Sequence, residues 1–255
     1  MATQPLPILM YHQITPAPDR VFRKYAITPA EFDAQMTWVA AQGFVPIHLD
    51  DAFGPTRRPL PARPIVITFD DGFQDCFDYA VPVLTAHAFT ATFFVVAGLA
   101  GRRSEWLPAE RGVEYNLMGW DSVRTLADAG FECGAHSMTH PRLARLSADD
   151  QERELRDSRR LIEDQIGRPV RHVAYPFGSF DASVRDAADR CGYLTGCTVA
   201  PGVATTTDDP LALARIPVCG TDAPLAITAH LRRIPAWRVA GHRALDTCRS
   251  LLARR

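Results

Sequence analysis

No run of 18 or more apolar residues occurs in the 255-residue sequence, so no segment is long enough to cross a bilayer as a helix. Residues 1–7 lack a basic stretch followed by an apolar one, and no secretory signal is recognisable there. The net charge of −1 excludes a bulk positive field that would recruit nucleic acid or an anionic membrane. Internal repeats, low-complexity segments and domain linkers are also missing. With 47% hydrophobic and 22% charged residues, the chain has the composition of an ordinary globular protein with a sizeable core.

Cysteine is sparse and shows no pairing pattern. None of the six cysteines forms a C-x-x-C pair, and they are scattered through apolar segments. Such scatter in a chain of this size favours buried free thiols in a reducing compartment over a disulfide framework. We therefore expect a cytoplasmic location.

Short apolar runs, each bounded by Gly, Pro or Asp, alternate with helical patterns along the chain. They predict strands at 8–11, 45–48, 65–69, 91–96, 131–135, 172–175 and 194–199, with a weaker eighth at 213–218. Strands that alternate with helices form parallel sheets, and about seven or eight such units close into a barrel. We expect an α/β fold: a single-domain, distorted (β/α)7-8 barrel of the TIM type over residues 1–220. Residues 221–255 are expected to form a C-terminal helical extension packed on the same domain.

Two of the intervening helices have clear end signals. Thr28 and Glu31 form a capping box around a proline at the first helical position. Ser147 opens a long charged helix that is expected to end near Gly167.

Polar residues that can carry chemistry follow several of the predicted strands. His12 ends the first strand, Asp70 and Asp71 end the third, His136 follows the fifth, and residues 176–177 follow the sixth. In a β/α barrel these positions meet at the carboxyl-terminal face, where barrel active sites lie. The pattern therefore predicts one site at that face.

The residue types in this set suit a metal site. His136 and His140 are four residues apart and share one face if the turn after the strand is helical. Two imidazoles and one carboxylate form a usual catalytic zinc set that leaves a fourth position for water. The metal lowers the pKa of that water toward 7, and the second carboxylate is free to take the proton. The competing interpretation makes Asp70 and Asp71 a solvated capping pair ahead of a helix at 73–84.

Three strings carry a family resemblance. Thr-Phe-Asp-Asp-Gly at 68–72 and His-Ser-Met-Thr-His at 136–140 resemble the first two motifs of the polysaccharide deacetylases, carbohydrate esterase family 4. Ala-Tyr-Pro-Phe-Gly at 174–178 is similar to their third motif, RxPYG. Met-Tyr-His-Gln-Ile at 10–14 resembles the start of the exopolysaccharide and poly-N-acetylglucosamine deacetylase branch. The resemblance covers residues 8–218, most of the chain.

The resemblance implies a role for each matched residue. Asp70 would be the general base, and Asp71, His136 and His140 would ligate one divalent metal. Zinc is the expected metal, although cobalt and nickel suit the same ligands. The backbone N–H of Phe177 would help to hold the tetrahedral oxyanion.

Two departures from the family pattern concern the catalytic groups. Ala174 stands where many relatives have the arginine that orients the catalytic aspartate, which leaves the partner of Asp70 open. The family usually supplies a histidine from its last strand, but His230 lies in a segment that reads as an amphipathic helix. We expect His12 to be the general acid instead, because the first and last strands of a closed barrel are neighbours.

Further side chains have weaker predictions. Trp106, in the long loop at 102–117, is the best candidate to stack on a sugar ring. His48 is expected to cap a helix or to lie in a turn. His172 and His242 flank basic residues and are expected to be exposed to solvent.

The predicted activity is metal-dependent hydrolysis of an N-acetyl group from a sugar or polysaccharide, with release of acetate. The partner is then an N-acetylated carbohydrate and not nucleic acid. Two alternatives stay open: a hydrolase of a non-sugar amide on the same scaffold, and a non-catalytic carbohydrate-binding protein.

Overall fold

The computed structural model describes residues 4–55 and 59–220. The predicted extension at 221–255, and with it His230, lies outside the described residues. The strands are β1 (Pro5–Leu6), β2 (Ile8–Tyr11), β3 (Gln13–Ile14), β4 (Ala26–Ile27), β5 (Val45–Pro46), β6 (Pro64–Phe69), β7 (Thr92–Val95), β8 (Glu132–Ala135), β9 (His172–Ala174), β10 (Thr195–Pro201), β11 (Ala204–Thr205) and β12 (Leu213–Pro217). The α-helices are α1 (Pro29–Ala41), α2 (Leu49–Phe53), α3 (Val81–Ala86), α4 (Leu107–Arg111), α5 (Trp120–Asp128), α6 (Ala148–Ile166) and α7 (Ala182–Arg190).

Seven parallel strands of the described chain close into a barrel. The hydrogen-bonded order is β2-β12-β10-β9-β8-β7-β6, and β6 pairs again with β2 to complete the ring. β5 pairs with β6 outside this ring, so the predicted second strand is an additional edge strand and not one of the barrel strands. The expectation of a distorted, TIM-like (β/α) barrel is confirmed, and the barrel has seven strands.

Side chains fill the barrel, because alternate residues of each strand point inward. The interior cluster includes Ile8, Val66, Phe94, Ala174 and Leu213, and all five are fully buried. The opposite faces of the same strands pack against the helices in a second, larger cluster. The barrel is therefore a packed core that carries its chemistry at one end.

The predicted end signals are confirmed for two helices. The Thr28 hydroxyl accepts a hydrogen bond from the Glu31 amide, and the Glu31 carboxylate accepts one from the Thr28 amide in return. At the start of α6 the Ser147 hydroxyl accepts a hydrogen bond from the Asp150 amide, and Gly167 ends that helix with φ of +67°. None of the helices in the described part combines the length and apolarity that a membrane span requires.

Cys76, Cys133, Cys191 and Cys197 are free thiols. A cytoplasmic location stays a prediction.

An ion network at the amino-terminal end of the barrel corrects one expectation. His172, predicted to be exposed, is 1% exposed at the start of β9. Its Nε2 lies 3.0 Å from Asp50 and 3.2 Å from Glu132, and its Nδ1 lies 2.8 Å from the Thr195 hydroxyl. The neighbouring Arg171 does not draw the imidazole outward, because its guanidinium pairs with Asp50 at 2.5 Å. His172 is thus buried in a network of ion pairs, although it directly follows Arg171 in the sequence.

This network makes stability depend on the charge of His172. Burial lowers the pKa of His172, but the charge of Glu132 and the hydrogen bond with Asp50 raise it overall to about 9. A folded-state pKa above the unfolded value of about 6.5 means that the stabilisation is complete below that lower value. It is lost as the pH rises through 9.

We predict that His172→Gln lowers the free energy of unfolding by roughly 3 kcal/mol near pH 6, because both carboxylates lose a buried cation. The deficit should shrink toward about pH 10, where the wild-type imidazole is neutral as well. Urea unfolding of both proteins at the two pH values measures this. His87→Gln is the matched control, because His87 pairs with the exposed Asp33 and should change stability by only about 0.5 kcal/mol. A deficit that is independent of pH would contradict the assignment.

Candidate active site

The predicted site residues meet in one cavity at the carboxyl-terminal face of the barrel. The cavity has a volume of about 500 Å³. Its lining includes His12, Asp70, Asp71, Trp106, His136, His140 and Phe177. The residues that were grouped by their positions after strands are thus brought together, and His230 lies outside the described residues.

Asp71, His136 and His140 form a compact three-donor group. Asp71 Oδ1 lies 3.3 Å from His136 Nε2 and 3.1 Å from His140 Nε2. All three residues are at most 5% exposed. The ligands of a tetrahedral zinc ion with bonds of about 2.0–2.1 Å are about 3.3 Å apart, so these spacings suit that ion. The three residues fit a divalent metal with an open fourth position.

The hydrogen bond on the far side of His136 supports this fit. His136 Nδ1 donates to the carbonyl oxygen of Ala174 at 2.8 Å, which leaves the Nε2 lone pair of a neutral ring facing Asp71. A lone pair and a carboxylate oxygen 3.3 Å apart repel each other unless a proton or a metal cation lies between them. Burial lowers the pKa of His136, but the hydrogen bond to Asp71 and the charge of Asp70 raise it overall. The site therefore attracts positive charge.

The other two members of the group respond to burial in different ways. Burial lowers the pKa of His140 to about 4, so that ring is neutral at pH 7, as a metal ligand must be. Burial raises the pKa of Asp71, but the hydrogen bonds with both histidines outweigh it and bring the pKa well below its usual value. Asp71 is therefore ionised.

Left-handed backbone conformations shape the site. Among the described residues, five that are not glycine have positive φ, and four of these belong to the motifs: Asp71 (+71°), Ser137 (+62°), His140 (+61°) and Phe177 (+57°). Such conformations cost of order 1 kcal/mol each and persist only where the surroundings hold them. At His140 the holding contact is visible, because its amide donates to the buried Ser137 hydroxyl at 3.0 Å.

Glu154, on α6, holds the loop that carries both histidines. One of its oxygens accepts hydrogen bonds from the amides of Met138 and Thr139, at 2.9 and 3.0 Å. The other accepts the Thr139 hydroxyl at 2.8 Å. Sequence reasoning predicted only a long charged helix here and missed the contact, because an acid 16 residues downstream of Met138 has no local signature.

Arg215 is the residue that orients Asp70, and sequence reasoning missed it as well. Its guanidinium donates to both carboxylate oxygens of Asp70, at 2.7 and 2.6 Å, and is fully buried. It also donates to the Thr68 hydroxyl and to the Thr198 carbonyl oxygen. The signal was a single cation in the apolar strand β12, at a position that shares the inward face with Leu213.

The ion pair with Arg215 keeps Asp70 apart from the three-donor group. Both oxygens of Asp70 face the guanidinium, whereas Asp71 faces the imidazoles. Burial raises the pKa of Asp70, but the charge of Arg215 outweighs it, and the pKa falls below its ordinary value. Asp70 is therefore an ionised carboxylate. Neither aspartate acts as a helix cap, which excludes the competing interpretation of the pair.

His12 follows β2 and lies on another side of the cavity. Its ring centre is 5.1 Å from that of Tyr25, and its Nδ1 is buried with no hydrogen-bond partner among the described residues. Burial lowers the pKa of His12, although Asp71 and Asp70 act in the opposite direction. His12 is thus a titratable group beside the two aspartates.

Two aromatic residues pack on the metal-ligand candidate His140. The Trp106 ring stacks on it with centroids 4.1 Å apart, and the Phe177 ring contacts it edge-on at 4.5 Å. Arg142 covers Phe177 from outside at 4.1 Å and pairs with Glu110 at 3.0 Å. One face of Trp106 is therefore used to position a histidine, which reduces the surface that it can offer to a sugar.

Comparison with known proteins places this geometry in context. The sequence profile described as polysaccharide deacetylase matches residues 57–196, more than half of the chain. A Bacillus subtilis (strain 168) protein, YxkH, classed as a polysaccharide deacetylase, is 27% identical over 215 residues, which cover 84% of this chain and 71% of that protein. A poly-β-1,6-N-acetyl-D-glucosamine N-deacetylase of Staphylococcus aureus (strain MRSA252) is 19% identical over 204 residues, 76% of this chain and 68% of that protein.

A solved structure shares the fold. The Streptococcus pyogenes deacetylase PplD, in complex with acetate, superimposes with a TM-score of 0.76 and 25% sequence identity. The match covers 90% of this chain and 99% of that one.

We predict that Glu154→Ala weakens zinc binding by about 10- to 100-fold, because the loop that carries His136 and His140 loses its support. Competition with a chromophoric chelator measures the affinity. The matched control is Asp164→Ala, which removes an exposed carboxylate from the same helix and should leave the affinity unchanged. Equal zinc affinity in the Glu154 variant and the wild type would show that the loop holds its shape without this contact.

Proposed function

The chain belongs to the polysaccharide deacetylase family, and from that premise we propose that it is a metal-dependent hydrolase that removes N-acetyl groups from an N-acetylated sugar or polysaccharide and releases acetate. The observation that carries the proposal is the division of labour between two adjacent aspartates. Asp71 lies with His136 and His140 at the spacing of metal ligands. Asp70 stands beside them, ionised and paired with Arg215.

Asp71, His136 and His140 would hold the cation, through one carboxylate oxygen and two imidazole nitrogens. A divalent cation bound there supplies a Lewis acid that lowers the pKa of water and polarises the acetamide carbonyl. Zinc is the proposed metal, and cobalt and nickel suit the same ligands.

Asp70 is proposed as the general base. A carboxylate must be ionised before it can accept a proton as a base, and the guanidinium of Arg215 keeps Asp70 ionised. The bidentate contact also holds the carboxylate plane in one orientation while the proton of the attacking water is transferred to it.

His12 is proposed as the general acid, because an amine leaves poorly until its nitrogen is protonated. The protonated imidazole would give its proton to the nitrogen of the breaking C–N bond and return to the neutral form that burial favours. The buried environment that lowers its pKa thus makes the ring a stronger acid.

Phe177 is proposed to donate its backbone N–H to the oxyanion of the tetrahedral intermediate. Its left-handed conformation, with φ of +57°, turns the chain directly after β9 at the cavity wall. A backbone donor is fixed before the reaction begins, and preorganised stabilisation of this kind is usually the largest contribution to catalysis. Trp106 contributes to substrate binding through the part of the indole that His140 does not cover.

The activity is tested by measuring acetate release from N-acetylglucosamine oligomers before and after chelation. We expect release by the metal-loaded protein, loss on chelation, and recovery when zinc is added back. Sugar binding without acetate release under all three conditions would instead indicate a carbohydrate-binding protein.

The two aspartates should separate in this assay. Asp71→Ala should lose both zinc and activity, because it removes a ligand. Asp70→Asn should keep zinc and lose activity by about 10²–10⁴-fold, because an amide cannot accept the proton. Near-full turnover in Asp70→Asn would refute the base assignment, and metal analysis of each purified variant is the control.

Arg215→Met should move the acid limb of the pH profile of kcat/KM to higher pH, because the charge and hydrogen bonds of Arg215 no longer oppose the effect of burial, so the pKa of Asp70 rises. Arg215→Lys, which keeps the charge, should shift the limb less. Zinc content and circular dichroism establish that both variants are folded and loaded. An unchanged acid limb in a folded Met variant would show that Asp70 is not the group that this limb reports.

A further inference from the structure

Two cations flank one aromatic ring at the mouth of the cavity. The guanidinium carbon of Arg111 lies 5.2 Å from the centre of the Tyr25 ring, and Nζ of Lys24 lies 5.5 Å from it. Arg111 also donates a hydrogen bond to the Tyr25 hydroxyl at 3.1 Å. We call these three residues the cationic wall, and all of them line the cavity.

The cations of this wall differ from the other arginine at the same mouth. Arg142 is neutralised by Glu110, which accepts two hydrogen bonds from it at 3.0 and 3.1 Å. Across residues 4–55 and 59–220, no carboxylate forms an ion pair with Lys24 or Arg111. Two exposed positive charges therefore line the cavity without an ion-pair partner in the described chain.

The wall lies directly behind the proposed general acid. The Tyr25 ring packs against the His12 ring with centroids 5.1 Å apart. If His12 protonates the leaving nitrogen, the sugar that carries that nitrogen lies in the cavity that both cations line. A group on the same sugar or its immediate neighbour would then contact the wall.

We propose that the substrate is an N-acetylated sugar that carries an anionic group, a phosphate or a carboxylate, near its acetamide, and that Arg111 and Lys24 bind this group. The inference rests on the proposed deacetylase function and names the substrate class of the same site. Guanidinium and ammonium groups form charge-assisted hydrogen bonds with both kinds of anion. Tyr25 makes the arrangement efficient, because it holds the Arg111 guanidinium in place before the anion arrives.

The test compares kcat/KM for three soluble sugars. They are methyl N-acetylglucosaminide, which is neutral, N-acetylglucosamine 1-phosphate, and N-acetylmuramic acid, which carries a carboxylate. We expect at least one anionic sugar to be preferred over the neutral one by about tenfold, and the preference to fall as ionic strength rises. Which anionic sugar is preferred tells phosphate from carboxylate.

The variants Arg111→Ala and Lys24→Ala should each reduce the ratio of anionic to neutral kcat/KM several-fold. Arg160→Ala, which removes an exposed arginine from α6, has the same change in net charge and should leave the ratio unchanged. Equal or better use of the neutral sugar overturns this inference and leaves the deacetylase function standing. If acetate is released neither from any of these sugars nor from N-acetylglucosamine oligomers, both this inference and the proposed deacetylase function are overturned.

Discussion

The buried ion pair between Arg215 and Asp70 joins the closure of the barrel to the chemistry of its mouth. Arg215 reaches from β12 across β2 to the end of β6. Its guanidinium therefore spans the seam where β2 and β12, the first and last strands of the barrel, meet. Removing two charges from water costs several kcal/mol each, and only good geometry offsets that cost. Here two parallel hydrogen bonds and further bonds to Thr68 and Thr198 provide it. The orientation of the Asp70 carboxylate therefore depends on the register of three strands.

The choice of small residues on neighbouring strands explains how the barrel accommodates this arrangement. Phe94 fills the interior beside β8 and lies 5.8 Å from the Arg215 guanidinium. A Cβ at Gly134 would meet the Phe94 ring at 2.5 Å, so glycine is required there. Ala174, at the position of the family's arginine, belongs to the same interior cluster as Phe94. The cation is thus supplied from β12, and β9 contributes a small side chain to the packing.

The parts of the site that could be predicted from the sequence are those that have a recognisable local sequence pattern. Strand ends were visible as apolar runs, and residues that follow strands share one face of a barrel, which is why Asp71, His136 and His140 could be grouped from the sequence and lie together in the structure. Arg215 could not be assigned to Asp70, because the two residues are 145 positions apart and a lone arginine in an apolar strand does not identify its partner. The prediction that His172 is exposed was wrong for the same reason. Its partner Asp50 is 122 residues away in the sequence, whereas the adjacent Arg171 suggested exposure.

The backbone explains how two neighbouring carboxylates receive opposite environments. Asp70 still belongs to the sheet, since its amide donates to the Tyr11 carbonyl oxygen at 2.9 Å. Asp71 turns sharply into the left-handed region with φ of +71°, and Gly72 follows at +69°. The sharp turn sends the first side chain toward the seam of the barrel and the second toward the histidines after β8. Burial raises the pKa of both carboxylates, and in each case the partners outweigh it: Arg215 lowers the pKa of Asp70, and the hydrogen bonds with His136 and His140 bring that of Asp71 well below its usual value. Both side chains are therefore ionised, but they face different partners. The different roles proposed for the two aspartates thus follow from one turn of the chain and from the partners that each side chain meets.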